Sequence, residues 1–303
     1  MLDRVGFVGF GEAAYHIAKG LKGAGLERVY AFDVNTHTPG LGEKIRGRAG
    51  ETQTQLFESS AALARACDVI LSAVTADQAL QAARQTAPHL AQRHYYVDLN
   101  SVSPRMKHEI SQTVETRGAR FVEAAMMAPV PGHAHKVPTL LGGCSAPALL
   151  EMLQPFGVRM EVVSTGQIGR AAAVKMFRSI VYKGLEALML ECVLGASQYG
   201  AEERVFASLN ESFPGVDFEK LAHYMIGRVA IHGERRAREM EEVACTLRES
   251  GVEPIMAEAT VRRMDWAAGL GLRDRLNGEF PKTYREVLGL IGAGERSSSS
   301  RSE

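Results

Sequence analysis

The chain has 303 residues, of which 46% are hydrophobic and 23% are charged, as in an ordinary soluble globular protein. This length predicts two domains, each large enough to bury its own core. The 35 basic side chains balance the 35 acidic ones, which argues against a strongly basic surface for nucleic acid or for an anionic membrane.

Short apolar runs alternate with helix-prone segments up to about Gly166, the pattern of a parallel sheet with helices on both faces. The predicted strands are residues 4–9, 29–32, 68–74, 95–99, 121–125, 139–141 and 160–163. The predicted helices after the second strand are residues 61–66, 76–91, 104–117 and 147–153. The sequence therefore predicts an α/β, Rossmann-type doubly wound domain over residues 1–166.

The character of the sequence changes after Gly166. Residues 167–199 contain no proline and few β-branched side chains, which predicts one helix about 50 Å long at 1.5 Å per residue. Helical segments separated by glycine and proline continue to Ile291. We expect an all-α domain over residues 167–291 that begins with this long helix. A disordered, serine-rich tail is predicted over residues 292–303.

A glycine-rich turn links the first strand to the first helix. Gly9, Gly11 and Ala14 form a G-x-G-x-x-A motif, the fingerprint of a site for a dinucleotide diphosphate. The N–H groups and partial positive charge of the helix N-terminus favour an anion there. The predicted cofactor contacts in this turn are Gly9, Phe10, Gly11, Glu12 and Ala13.

The second strand ends on Asp33, about 20 residues beyond the glycine motif. A carboxylate there suits the ribose hydroxyls of NAD and repels the 2′-phosphate of NADP, so NAD is favoured and NADP remains the alternative. Four more cofactor contacts are predicted at the carboxyl ends of strands, where open α/β sheets bind ligands. They are Val74, Thr75, Asn100 and Ser101.

Lys175 follows a glycine-marked turn at the start of the long helix, and its neighbours are small or apolar. Desolvation disfavours the charged form of a lysine, which makes Lys175 a candidate acid/base. The alternative is a lysine whose amine reaches out to solvent from a buried helix. Ser179, Tyr182 and Glu186 continue one stripe of this helix, which lines either a cleft or a solvated face.

These motifs resemble the β-hydroxyacid dehydrogenases, which include 3-hydroxyisobutyrate and 6-phosphogluconate dehydrogenases. The likeness is strongest to the branch with a distinct phosphogluconate-dehydrogenase-like C-terminal helical domain. It covers most of the chain, in order. The matching segments are the glycine motif at Gly9, D-L-N-S-V-S-P at 98–104, P-V-P-G at 129–132 and G-Q-I-G at 166–169, with Lys175 at the family spacing.

The resemblance implies an N-terminal NAD(P) domain, a helical domain that binds substrate and supports homodimers, and Lys175 as the general acid/base. Three departures bear on the substrate. The family's Ser-Gly-Gly loop reads Pro131-Gly132-His133, and Ser179 replaces an asparagine. Tyr182 stands where decarboxylating relatives carry a carboxylic acid, so Tyr182 is a candidate acid and 6-phosphogluconate is disfavoured. Pro131, Gly132 and His133 remain the predicted substrate loop.

Residues 231–240 fall in the region of the family's Lys-Asp-Leu motif. In the best register, Arg238 replaces a lysine near the nicotinamide, and His232 and Arg235 are candidate substrate contacts. The alternative is an exposed charged helix with pairs at i, i+4 spacing.

These expectations combine into one function: hydride transfer between NAD(P) and a small, anionic, β-hydroxyacid-like substrate. Two alternatives remain, an imine or keto-acid reductase that uses the same cleft and a dinucleotide-binding protein without catalysis. The four cysteines are far apart with no C-x-x-C pair, so no metal site or disulfide is predicted. No signal peptide or membrane span is apparent in the sequence, so we expect a cytoplasmic location.

Overall fold

A computed structural model of the chain describes residues 2–299. The chain divides into two compact units, the first ending at Lys175 and the second beginning at Met176. The predicted domain boundary after Gly166 lies before this division. The first residues of the long helix belong to the first unit because they are hydrogen-bonded to its sheet.

Eight strands form one sheet in the first unit. They are β1 Arg4–Val8, β2 Arg28–Phe32, β3 Gln55–Leu56, β4 Val69–Ser72, β5 Tyr95–Asp98, β6 Arg120–Met126, β7 Thr139–Gly142 and β8 Met160–Ser164. Their order across the sheet is β3-β2-β1-β4-β5-β6-β7-β8. All neighbours are parallel except β6 and β7, which are antiparallel.

Six helices accompany this sheet: α1 Glu12–Gly23, α2 Leu41–Thr52, α3 Ser60–Ala66, α4 Ala79–Thr86, α5 Pro104–Glu115 and α6 Ala146–Leu153. Successive residues of β1 face opposite cores, with Val5 and Phe7 in one and Val8 in the other. Gly6 has no side chain because a Cβ would collide with Cys67 Sγ. Both faces of the sheet are therefore covered, and the predicted doubly wound fold is confirmed.

Helix α7, Arg170–Ser197, begins in the first unit and continues into the second. The other helices of the second unit are α8 Glu202–Ser212, α9 Phe218–Glu249, α10 Ile255–Gly269, α11 Leu272–Arg275 and α12 Tyr284–Ser299. The longest of them, α9, packs against α8, α10, α11 and α12. The core of the second unit includes Ile226 and Val229 of α9, Leu190 of α7 and Met264 of α10.

Two elements of the structure are absent from the sequence-based prediction, α2 and β3. Gly42, Gly47 and Gly50 all lie within α2, and glycine has a low helix propensity, so the segment lacks a clear helical signal. The two-residue β3 is too short for a period-2 pattern.

The end of the chain also differs from the expectation. A disordered tail is predicted from residue 292, whereas α12 continues to Ser299. Once a helix is formed, each added residue contributes a further backbone bond, so the polar composition does not by itself end it. Residues 300–303 of the predicted tail lie outside the described residues. Among residues 2–299, no helix is both long enough and apolar enough to cross a bilayer.

A buried ion pair lies beneath the loop that follows β5. Lys107 of α5 is 1% exposed, and its Nζ donates hydrogen bonds to Asp98 Oδ2 at 2.7 Å and to the Asn100 carbonyl at 2.9 Å. Asp98 is fully buried. Each charge is therefore compensated only by the other and by nearby backbone and side-chain dipoles.

Replacing Lys107 with Met should destabilise the protein by about 3–5 kcal/mol, because the Asp98 carboxylate is then left buried without its partner. Urea unfolding followed by circular dichroism measures this change. Arg93→Met is the control, since Arg93 pairs with Asp68 in solvent and should cost about 0–1 kcal/mol. Equal losses for the two variants would contradict this assignment.

Candidate active site

The turn between β1 and α1 has room for an anion at the helix N-terminus. Gly9 has φ +84°, and a Cβ there would lie 2.6 Å from the carbonyl oxygen of Ala73. Gly11 caps α1 and offers no side-chain hydrogen bond. Apart from Gly11 and its chain neighbours, no described residue has an atom within 4 Å of the place that a Gly11 Cβ would occupy. The first N–H groups of α1 therefore border open space, as close approach of a diphosphate requires.

Asp33 joins the end of β2 to the glycine-rich turn. Its Oδ2 accepts a hydrogen bond from Phe10 N at 2.7 Å, and its Oδ1 accepts one from Asn35 N at 2.8 Å. A carboxylate has about four acceptor sites, so these two bonds leave capacity for ribose hydroxyls. Val34 beside it is exposed. The position therefore suits a sugar with free hydroxyls better than one with a 2′-phosphate.

Asn100 connects the loops that follow β4 and β5. Its Oδ1 accepts from Val74 N at 2.8 Å, and its Nδ2 donates to Ser72 Oγ at 3.1 Å and to Asp98 Oδ1. The side chain is buried, so its main contacts are with the protein. The sequence predicts Asn100 as a cofactor contact, and in the structure it positions Val74. Thr75 and Ser101 are exposed at the same edge of the sheet.

A buried carboxylate sets the start of α7. Glu123 of β6 is fully buried, and its two oxygens accept hydrogen bonds from Ala171 N at 3.2 Å and Ala172 N at 3.3 Å. A negative charge at a helix N-terminus is stabilised by the helix dipole. Gly142 on the neighbouring strand makes room, because a Cβ there would collide with Glu123 Oε1.

Lys175 lies one turn beyond this cap and is half-buried. The turn before α7 contains Gly169, whose φ is +91° and whose Cβ would lie 3.0 Å from Pro104 Cβ. The second glycine of the Gly166–Gly169 motif is thus required by both conformation and packing. Glu123 and Gly169 together fix the turn of helix that carries Lys175.

The predicted substrate loop is exposed. Pro131, Gly132 and His133 all lie at the surface, and His133 Nδ1 is 3.1 Å from the carbonyl oxygen of Pro129. The loop is held by His135, which is buried, with Nε2 3.0 Å from the carbonyl oxygen of Phe156. Gly20 of α1 packs on that ring. The contact of His133 with substrate stays a prediction.

In the second unit, the polar stripe of α7 faces protein. Glu186 is fully buried, and Arg228 Nε of α9 lies 3.2 Å from its Oε1. Arg236 is also buried, with Nη1 2.9 Å from Glu186 Oε2 at an angle outside hydrogen-bond geometry, so charge alone holds that contact. Burial raises the pKa of the Glu186 carboxyl to about 7, against the lowering effect of both arginines.

Two tyrosines extend this cluster, which also contains Lys183 paired with Glu239 at 2.9 Å. Tyr182 OH donates to Tyr224 OH at 3.3 Å, and Arg228 Nη1 donates to the same Tyr224 oxygen at 2.9 Å. The bond from Tyr182 lowers the pKa of Tyr224, while burial raises the pKa of Tyr182. Tyr224, rather than the predicted Tyr182, is therefore the more acidic phenol.

The remaining predicted residues of the second unit differ in their surroundings. Lys183 Nζ donates to Ser179 Oγ at 3.2 Å. His232 is half-buried, and burial and nearby arginines lower its pKa. Arg235 is exposed and pairs with Glu239. Arg238 is exposed and pairs with Asp265 at 2.6 Å and with Glu241, so a cofactor contact would require these ion pairs to break.

Sequence reasoning missed several charged residues of these sites: Asp98, Lys107, Glu123, Arg228 and Arg236. Charged side chains are usually exposed, so a sequence gives no reason to assign these residues to a buried site. One signal was present for Lys107, which lies on the same helical face as Ile110 and Val114. Tyr224, Arg228, His232 and Arg236 recur every four residues, which also places them along one side of α9.

Two family profiles match the sequence. The NAD binding domain of 6-phosphogluconate dehydrogenase matches residues 4–157, and a domain of unknown function, DUF1932, matches residues 196–267. The chain belongs to the 6-phosphogluconate dehydrogenase NAD-binding family. The family resemblance predicted from the sequence is thereby confirmed.

Solved structures agree with this family. A conserved hypothetical protein from Sinorhizobium meliloti 1021 is 34% identical, with a TM-score of 0.81 and 97% of each chain covered. A conserved protein of unknown function, similar in structure to 3-hydroxyacid dehydrogenases, is 33% identical, with a TM-score of 0.74 over 91% of this chain and 99% of that one. Mycobacterium tuberculosis 3-hydroxyisobutyrate dehydrogenase is 14% identical and shares the fold, with a TM-score of 0.71 over 88% and 94%.

The first unit of this family member is therefore an NAD-binding domain, with NADP as the alternative dinucleotide. Its residues fit that group. The open space above Gly11 admits a diphosphate, and Asp33 has acceptor sites for ribose.

Replacing Gly11 with Val should abolish NAD binding without unfolding the protein, because the added methyl groups fill the open space above α1. The affinity for NAD is measured by isothermal titration calorimetry and the stability by thermal unfolding. Gly23→Val is the matched control, since Gly23 ends the same helix in equally open surroundings. Retained NAD binding in Gly11→Val would contradict this site.

Proposed function

We propose that this chain catalyses reversible hydride transfer between NAD(P) and a small β-hydroxyacid-like substrate. Membership of a family of NAD-dependent dehydrogenases supports oxidoreduction in general. The observation that carries the proposal is the cap on α7. Glu123 of β6 bonds the first turn of α7, just before Lys175, to the sheet whose strand β1 leads into the glycine-rich turn.

The first unit would hold the dinucleotide through the start of α1, Asp33 and the backbone of the loop at Val74. Nicotinamide, when bound, accepts or returns the hydride of the substrate's carbinol carbon. Lys175 Nζ takes the hydroxyl proton during oxidation and returns it during reduction. Lys175 is half-buried in the first turns of α7.

Replacing Lys175 with Met should lower kcat about 100-fold or more, since the proton then has no acceptor. The affinity for NAD should change little, because the dinucleotide contacts lie elsewhere. Initial rates from nicotinamide absorbance, measured over a panel of hydroxyacids, test this. Lys44→Met is the control, as Lys44 is exposed on α2.

Three outcomes distinguish the alternatives. An unchanged rate in Lys175→Met would remove Lys175 from the mechanism. Faster turnover of cyclic imines than of hydroxyacids would favour the reductase. Tight NAD binding with no absorbance change on any substrate would favour a dinucleotide-binding protein without catalysis.

We also propose that α7 pairs with α7 of a second copy of this chain. Five apolar side chains on one side of α7 are exposed: Val174, Phe177, Val181, Leu185 and Leu188. Their positions are symmetric about Val181, at four and seven residues on either side. An antiparallel two-fold pair of helices would thus bring each side chain against an equivalent one.

The charges along α7 support the antiparallel direction. Arg170 and Arg178 are exposed in its first half, and Glu191 is exposed in its second half. An antiparallel partner would bring opposite charges together, whereas a parallel partner would bring like charges together. A contiguous apolar surface of this kind is typical of a protein–protein interface.

Val181→Lys should convert the dimer to a monomer, because it places two ammonium groups at the two-fold axis of an apolar interface. Light scattering after size-exclusion chromatography measures the mass. Val181 is 65% exposed, so the variant should fold normally. Val252→Lys, at another exposed valine, should remain dimeric. A monomeric wild-type chain, or a dimeric Val181→Lys, would refute the interface.

A further inference from the structure

The charged cluster between α7 and α9 contains more cations than anions. Lys183, Arg228 and Arg236 carry three positive charges, and Glu186 and Glu239 carry two negative charges when ionised. Arg236 is 2% exposed, and its Nε has no hydrogen-bond partner within the described part of the chain. Buried charge that is not balanced is costly, so this excess favours a bound anion.

Tyr224 has a proton to donate. Its oxygen already accepts hydrogen bonds from Tyr182 OH and from Arg228 Nη1. A phenol oxygen that accepts twice directs its own O–H elsewhere, and no described residue accepts that proton. Tyr224 is 44% exposed, so a small ligand can reach it.

Arg228 offers a second donor beside Tyr224. Its Nε is directed to Glu186 and its Nη1 to Tyr224, which leaves Nη2 without an acceptor among residues 2–292. The Arg228 guanidinium lies 5.3 Å from the Tyr224 ring centroid and 5.9 Å from that of Tyr182, so both rings hold it in place. Two donors from one rigid arrangement match the two oxygens of a carboxylate.

We propose that Tyr224 and Arg228, backed by the buried Arg236, bind the carboxylate of a small organic acid. The site lies within the second unit, and the inference rests on the proposed function only for the class of ligand, a small organic acid. Next to Tyr224, Arg228 and Arg236 carry two positive charges against at most one negative charge on Glu186, so the cluster favours an anion. The domain of unknown function that matches residues 196–267 contains all three of the ligand-binding residues.

Glu186 couples this site to pH. The groups that face Glu186 or the cluster around it are Tyr182, Lys183, Tyr224, Arg228, His232, Arg235, Arg236 and Glu239. The pKa of Glu186 is raised to about 7, so its carboxyl is mainly neutral at pH 6 and mainly charged at pH 8. A negative Glu186 repels the bound carboxylate and occupies both arginines. The affinity for the acid should therefore fall as pH rises from 6 to 8.

Isothermal titration calorimetry with 3-hydroxypropanoate and with inorganic phosphate, in the absence of substrate turnover, tests the site. Tyr224→Phe should weaken 3-hydroxypropanoate binding about tenfold, since it removes one hydrogen bond to a charged group. Tyr224 is at the surface and the change is small, so folding should be retained. Arg228→Met should weaken binding further, and thermal unfolding checks that it folds. Arg248→Met, at an exposed arginine near the end of α9, should bind like wild type.

Glu186→Gln gives the second measurement. It removes the titrating carboxylate, so the affinity of the variant at pH 8 should rise to the wild-type affinity at pH 6. Removing one nearby unit charge should raise the affinity about tenfold. A flat wild-type profile between pH 6 and pH 8 would overturn the proposal. So would tighter binding of phosphate than of 3-hydroxypropanoate, or wild-type affinity in Tyr224→Phe.

The test separates this site from the proposed reaction. Lys175→Met protein should bind 3-hydroxypropanoate as wild type does, because Lys175 is not among the binding residues. If wild type binds the acid through Tyr224 but oxidises no hydroxyacid, the proposed function fails and the site stands. If Tyr224→Phe binds 3-hydroxypropanoate as tightly as wild type while hydroxyacids are still oxidised, the site fails and the proposed function stands.

Discussion

The carboxylate of Glu123 is the contact on which the geometry of the candidate catalytic residue depends. It accepts hydrogen bonds from two N–H groups at the start of α7, inside a unit where it has no access to water. Such bonds to a charged acceptor are each worth about 1.5–3 kcal/mol. They couple the direction of α7 to strand β6. The absence of a side chain at Gly142 makes this possible, because any larger residue would displace the carboxylate.

In the candidate dinucleotide site, side chains hold the backbone groups of the loops in place. Asp33 bonds the glycine-rich turn to the end of β2, and Asn100 bonds the loop after β4 to the loop after β5. Lys107 in turn compensates the charge of Asp98 below them. These side chains place the loops before any ligand arrives, so binding need not order them.

Helix α7 contributes Leu190 and Val193 to the apolar core, but it also buries polar side chains and exposes apolar ones. Its polar side chains Ser179, Lys183 and Glu186 are half-buried or buried, whereas Val181 and Leu188 are exposed. A helix that follows the usual rule places its apolar side toward the core. Burial of the polar side instead concentrates arginines, carboxylates and tyrosines against α9, and it leaves an apolar surface for another chain. The proposed anion site and the proposed dimer surface both follow from this arrangement of α7.

The sequence by itself determined the order of strands and helices, the glycine-rich turn, Asp33 and the position of Lys175. These signals are local, because a tight turn or a buried strand imposes residue types on neighbouring positions. Only the tertiary structure decided that Glu123 caps α7, that Lys107 is buried and that Arg228 and Tyr224 share a cluster with Glu186. Those partners are distant in the chain, and a charged residue has no sequence pattern that distinguishes burial beside a partner from exposure to solvent. Burial depends on which elements pack together, and that is a property of the folded chain.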